Sequence, residues 1–344
     1  MTFSKSDEEL ILEIQKILES RINQGETSRK LAEQVFKSAR DGLEYDGISF
    51  EDWLEKRFKY QLVWLDSNDY ARALTRALWL APHFAGTDFG SSRQRDMGQE
   101  WTDTARGFMG EIAVGKFLKD KFNVETLPVT RRGAAEEFME TDIDDIVLPN
   151  GQKGKSKIKV SVKTGKFNSR WLDVGTQYTY SDVYMFVKVG VLRTHFLSFL
   201  KDISFLKDKL FPRAVALKEL GEEESRTLWD EVPTLQPLPA YIAGYINKPN
   251  PNSPITSLKW RVRKGRKSQS IVITQGVGIM NAETIRSFGA IKQYDPEGNL
   301  PIEIEPIIKQ LEQRDTHFLA SCGGLLWGNK NMTSLMERIV GQTA

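Results

Sequence analysis

Residues 158–163 read Ile-Lys-Val-Ser-Val-Lys, an unbroken alternation of apolar and polar side chains. Side chains two apart on a β-strand share a face, so Ile158, Val160 and Val162 line one face while Lys159, Ser161 and Lys163 line the other. Such alternation signals a half-buried strand. Just upstream, residues 141–148 (TDIDDIVL) read as a second strand, one that carries Asp142, Asp144 and Asp145. Asn150-Gly151 and Gly154 punctuate the connection as a hairpin turn or short loop would. The pattern therefore predicts two paired strands, with an acid of one and a lysine of the other meeting at one end of a small sheet.

A third block, GEIAV at 110–114, falls within GFMGEIAVGKFLKDKF. This stretch is a predicted helix that buries Phe108, Ile112, Ala113, Phe117 and Leu118. Gly110 and Gly115 each weaken a helix by about 1 kcal/mol relative to alanine, so a helix that keeps them needs close approach to a neighbour. Glu111 sits beside the apolar stripe, where a carboxylate must find a partner or a cation. A structural salt bridge and a metal ligand both meet that need.

A helix with Glu111, a strand with Asp142 and an adjacent strand with Ser161-Val162-Lys163 together resemble the PD-(D/E)xK nuclease superfamily, the fold of many restriction endonucleases. The resemblance covers residues 100–190, under a third of the chain. It implies an α/β fold, a restriction-endonuclease-like mixed central sheet flanked by helices, with N-terminal helices and a C-terminal α+β region. It also implies Glu111, Asp142, Ser161 and Lys163 as the catalytic set. Mg²⁺, with Mn²⁺ as a substitute, would be held by Glu111, Asp142 and the carbonyl of Val162. Ser161 departs from the family pattern, standing where a second acid is expected. The wording TDI…SVKTG followed by Asn168-Ser169 is similar to a restriction-enzyme subset with serine at that place. Asp144 and Asp145 stand as alternative acids. In a regular strand Asp144 shares the face of Asp142, and Asp145 points away unless a bulge intervenes.

Around this core the chain divides into a helical region at 1–95, a nuclease-like core at 96–232 and an α+β region at 233–344. In the first, Leu10, Ile14 and Leu18, then Leu31, Val35 and Phe36, recur at helical spacing. Ser49 with Asp52 resembles a capping box ahead of a predicted helix over 53–65, and another helix is predicted from Ser67 to Pro82. Strands are predicted at 183–189, 240–246 and 270–280, and helices near 307–315 and 332–340. The polar stretch 165–178 follows the catalytic strand and faces substrate in the resembling enzymes, with an ordinary loop and helix as the alternative, and the acidic stretch 221–225 reads as a solvated turn.

Net charge is only +2 over 344 residues, so any case for a nucleic-acid partner has to come from local distribution. Residues 259–267 (KWRVRKGRK) carry Lys259, Arg261, Arg263, Lys264, Arg266 and Lys267 with no acid among them. Gly265 is predicted to turn a hairpin there. A charge run is usually a solvated face, but six like charges repel and are more readily explained by the phosphates of DNA. One cysteine, Cys322, excludes an intrachain disulfide, and with three histidines it leaves no Cys/His zinc site. His83, His195 and His317 are scattered and read as structural. Neither GxxxxGK[ST] nor GxSxG occurs. A cytoplasmic protein without a membrane contact is expected, since there is no signal-peptide pattern and no long apolar run. The expected activity is Mg²⁺-dependent DNA endonuclease of restriction or phage-defence type. Two other readings stand beside it. One is a degenerate nuclease fold serving as a DNA-binding or partner-binding subunit, which Ser161 favours. The other is a nuclease subunit of a transposition or defence complex. A homodimer or a larger assembly would suit double-strand cutting.

Overall fold

The apolar stripes at the N-terminus fold into a layer of helices in the computed structural model, which describes residues 6–84, 97–127, 141–175, 179–192, 194–250, 254–265, 268–305 and 316–341. Helix α1 (Asp7–Glu19) begins in a capping box: the Ser6 hydroxyl accepts from the Glu9 N–H at 3.3 Å, and the Glu9 carboxylate accepts from the Ser6 N–H at 2.7 Å. Its buried face is Leu10, Ile14 and Leu18, and α2 (Gly25–Asp46) adds Leu31, Val35, Phe36 and Ala39. Ser49 caps the short α3 (Phe50–Asp52), which runs into a π-helical turn at Trp53–Lys59. The helix predicted over 53–65 stops there, because Leu62–Leu65 is strand β1. Pairing with a distant strand overrides the local helical pattern. Gln61 fixes the changeover: its side chain donates to the Ile242 carbonyl and accepts from the Gly328 N–H at 2.6 Å.

Helices α4 (Ser67–Phe84) and α5 (Met97–Phe122) follow. Next come β2 (Glu125–Thr126), β3 (Asp145–Val147), β4 (Lys153–Lys155), β5 (Val160–Lys166), β6 (Trp171–Gly175) and β7 (Val183–Val189). Strand β6 stands where the alternative reading of 165–178 has loop and helix. A helical excursion contains α6 (His195–Asp202), a π-helical turn at Leu206–Leu210, α7 (Phe211–Ala216) and α8 (Glu222–Glu231). The acidic stretch expected as a turn is instead the start of α8. Its acids face the positive end of the helix dipole, and Glu224 accepts from the Gly221 N–H at 2.7 Å. The remainder is β8 (Leu238–Asn247), β9 (Ile255–Lys264), β10 (Gln269–Met280), α9 (Ala282–Ser287), α10 (Gly289–Tyr294), β11 (Ile302–Ile304), β12 (His317–Ser321) and α11 (Gly328–Val340). The helix expected near 307–315 lies outside the described residues.

The central sheet has the order β1-β8-β7-β5. Strands β5 and β7 are parallel, and the other two pairings are antiparallel, so the sheet is mixed. Every residue of β7 is buried. On one face Val160, Val162, Val183, Met185 and Val187 pack with α4, α5 and α11. On the other, Tyr184, Phe186 and Tyr241 pack with α1, α2 and the turn at Trp53–Lys59. The protein is thus mixed α/β. Its N-terminal helices are a layer on this sheet and not a separate bundle. The divisions expected at 95/96 and 232/233 cut across one sheet, which takes β1 from the first region and β8 from the third.

A second sheet has the order β11-β10-β12-β6, with β9 on the other side of β10, and β2-β3-β4 form a small third sheet. Buried Arg57 ties the first two sheets together. It donates to the carbonyls of Ala243 at 2.9 Å and Cys322 at 2.5 Å, and lies 5.1 Å from the Trp327 ring centre. Among the described residues no helix is long and apolar enough to cross a membrane. Burial pushes His195 down to about 4, and its neutral Nδ1 accepts from the Leu192 N–H at 2.9 Å, a structural role. His317 meets Asp173 at 3.1 Å on the surface. The side chain of His83 lies outside the described residues.

Candidate active site

Helix α5 lies so close to β5 that Gly110 has no room for a side chain. A Cβ there would sit 1.9 Å from Thr164 Oγ1, 3.1 Å from its Cβ and 3.2 Å from its Cγ2. The Thr164 hydroxyl instead donates to the Gly107 carbonyl at 3.3 Å. At Gly115 an added Cβ would lie 2.5 Å from Thr126 Oγ1. The two glycines seat the helix and set the height of Glu111 over the end of β5. Gly110→Ala is expected to destabilise the fold by about 1–3 kcal/mol despite the better helix propensity of alanine. Adding Thr164→Ala should recover more than half of that loss in thermal unfolding. A single variant as stable as the parent would mean that α5 does not need this approach.

Asp142 reaches the site differently from the sequence expectation. The strand expected over 141–148 begins only at Asp145, and it pairs with β2 and β4 instead of β5. The turn decides this. Gly151 takes a positive φ of 81°, and the Leu148 N–H donates to the Gln152 carbonyl at 2.9 Å, so 145–155 closes on itself as a hairpin. Thr141 and Asp142 lie along the open edge of β5. The Asp142 N–H donates to the Val160 carbonyl at 2.8 Å, and Thr141 Oγ1 accepts from the Val160 N–H at 3.1 Å. One Asp142 oxygen accepts from the Val162 N–H at 2.6 Å and from the Ser161 hydroxyl at 3.4 Å. In a regular strand the N–H and C=O of one residue face the same edge, so the Val162 carbonyl faces this edge too.

Charge brings the remaining groups together. Burial pushes the Glu111 carboxyl well above its ordinary range, and the nearby negative charge of Asp142 pushes the same way; Arg76 and Lys163 pull it back. Burial also raises Asp142, against the opposing pull of the Val162 N–H, Lys163 and Ser161. Helix α5 covers the Val160, Val162 and Thr164 face, whereas alternation sends Ser161 and Lys163 to the other. Glu111 and Lys163 therefore act on one another around the open edge of β5. Among the described residues neither makes a side-chain hydrogen bond or ion pair.

The two carboxylates, whose charges oppose one another, and the edge carbonyl are hard oxygen donors. That fits Mg²⁺, which uses one or two carboxylates and keeps several waters. No group of three or more His, Cys, Asp and Glu side chains among the described residues could hold a metal. Arg76 was not singled out from the sequence. It comes from α4, half-buried, with its guanidinium 5.9 Å from the Phe108 ring centre. The available signal was an i, i+4 arginine pair, Arg72 and Arg76, on a helix whose other face is apolar.

The alternative acids belong elsewhere. Asp144 and Asp145 both pair with Lys155 Nζ at 2.7 Å, on the outside of the hairpin. The basic segment forms most of β9, and the Gly265 N–H donates to the Ser268 carbonyl at 2.8 Å where it turns into β10. The run of cations is less naked than its sequence suggests, because β11 lies on the far side of β10. Arg261 pairs with Glu305 at 2.9 Å, and Arg263 pairs with Glu303. Lys264 is exposed, Lys259 borders the Gln275 position of β10, and Arg266 and Lys267 lie outside the described residues.

No protein-family model matches the chain, and no curated protein or solved structure matches it.

Proposed function

We propose that this chain is a Mg²⁺-dependent DNA endonuclease with a restriction-endonuclease-like core, acting in the cytoplasm in restriction or phage defence. The observation that carries the reading is the edge of β5. There Asp142 is held by the Val162 N–H and interacts electrostatically with Glu111 and Lys163, two ionisable groups that have no hydrogen-bond or ion-pair partner among the described residues. Structural ion pairs satisfy each other; these groups do not, and perturbed, unpaired ionisable groups collect at functional sites.

Glu111, Asp142 and the Val162 carbonyl would hold the metal, which when bound supplies positive charge at the phosphoryl oxygens. The Lys163 ammonium stabilises the negative charge that develops at the scissile phosphate. The Val162 N–H and the Ser161 hydroxyl fix Asp142 in place and favour its ionised form against the effect of burial. Ser161 adds a hydrogen bond but no charge, so the site is one carboxylate poorer than the family it resembles. That feature favours a second reading, a nuclease fold retained as a DNA-binding or partner-binding subunit.

Supercoiled plasmid incubated with the protein is expected to be nicked or linearised with Mg²⁺ or Mn²⁺ and to stay intact in EDTA. No cleavage with any DNA or divalent metal, alongside retained DNA binding, would select the second reading. Cleavage that appears only with a partner protein would point to a subunit of a larger complex.

A further inference from the structure

We propose that α4 carries a phosphate-binding groove, with Arg72 and Arg76 as its anion-binding residues, that grips a nucleic-acid strand beside the candidate active site. Only the position of the gripped phosphates, next to the one that is cut, rests on the nuclease reading. The groove measures about 390 Å³ and is lined by Asn68, Ala71, Arg72, Thr75 and Arg76. These residues form one face of the helix, because positions three and four apart are neighbours. The lining chemistry is two guanidinium groups, an amide, a hydroxyl and one small apolar residue. Among the described residues it contains no acid, and both of its charged groups are cationic, so an anion finds two guanidinium partners there.

Among the described residues neither arginine is used up inside the protein. Arg72 has Asp69 as its ion-pair partner at a loose 3.8 Å, and Asp69 is already held by Lys116 at 2.6 Å. Arg76 rests on the Phe108 ring and, among the described residues, makes no hydrogen bond or ion pair. Five N–H donors in a planar fork are therefore left for a ligand, in the geometry that matches phosphate. Arg76 rests against Phe108, which lies about one turn before Glu111 on α5, so the groove runs beside the helix that carries the candidate acid. A turn of helix, ~5.4 Å, separates the two guanidinium stems, which lets them engage successive phosphates of one strand.

The test is salt-dependent binding of a short fluorescent DNA duplex, with Ca²⁺ in place of Mg²⁺, for the parent, Arg72→Gln, Arg76→Gln and the double variant. Each single variant should lower the steepness of log K against log salt by about 0.9, and the double variant by about twice that, with unchanged thermal unfolding. Arg76→Lys should keep the slope, because the charge remains, while binding about tenfold more weakly through loss of the bidentate contact. Equal slopes in all variants would overturn the groove and leave the nuclease reading standing. Reduced slopes in a protein that never cuts DNA would uphold the groove and overturn hydrolysis. A parent that binds no DNA at low salt would overturn both.

Discussion

Lys163→Ala is expected to lose single-turnover plasmid cleavage by roughly a hundred- to a thousandfold or more while folding and binding DNA much as the parent does. The ammonium has no ion pair among the described residues, so its removal breaks no contact that the fold relies on. In the proposed mechanism it offers charge where the phosphate would become more negative, and interactions stronger in the transition state than in the ground state appear in the rate of the chemical step. Asp142→Ala should lose cleavage as well, but through metal affinity, so raising Mg²⁺ should restore part of it. Ser161→Ala should cost far less than either, since the hydroxyl lies 3.4 Å from Asp142 and the Val162 N–H at 2.6 Å remains. Ser161→Glu adds the acid that the resembling family carries. A Lys163→Ala variant as fast as the parent would place the chemistry elsewhere in the molecule.

Glu111→Gln should make the metal-free protein more stable by about 0.5–2 kcal/mol at pH 8 and remove its response to Mg²⁺. The sign follows from the raised carboxyl. The folded chain binds the Glu111 proton more tightly than the unfolded chain does, so its stability falls as pH climbs from the ordinary value of 4.5 through the raised one. An uncharged glutamine escapes that loss, and the gap between variant and parent should close below the ordinary value. Mg²⁺ at a hundred times its dissociation constant should raise parental stability by ~2.7 kcal/mol and leave the variant nearly unmoved. Thermal unfolding at pH 4 and pH 8, in EDTA and across a Mg²⁺ titration, reads all of this. A glutamine variant less stable than the parent at pH 8 in EDTA would show that Glu111 is a structural group.

Much of this site was legible because its strand alternates. The six residues 158–163 specify a face for Lys163 and an edge for Val162, whatever lies beyond them. The glycines of α5 were legible for a related reason: glycine weakens a helix, and Thr164 and Thr126 are the neighbours that need the space. The route of Asp142 was not legible. Its residues have strand character, but a local turn captured 145–155 and left Asp142 as an extended arm on β5. The pairing of Arg261 and Arg263 with Glu305 and Glu303 was hidden for the opposite reason, since those acids come from a strand some forty positions away in sequence. Strand β1 was misread as helix because its partner β8 is more distant still.

That last pairing has a consequence for the timing of synthesis. Leu62 is matched with Tyr241, and β7 is covered on one side by β8 and on the other by β5. A ribosome has therefore delivered Glu111, Asp142 and Lys163 well before it delivers the strand that completes the sheet beneath them. At about 5–20 residues per second, the interval is several seconds, and contacts this far apart in the chain are slow to form even afterwards. Until β8 has emerged and paired, the candidate site residues lack the complete sheet that positions them.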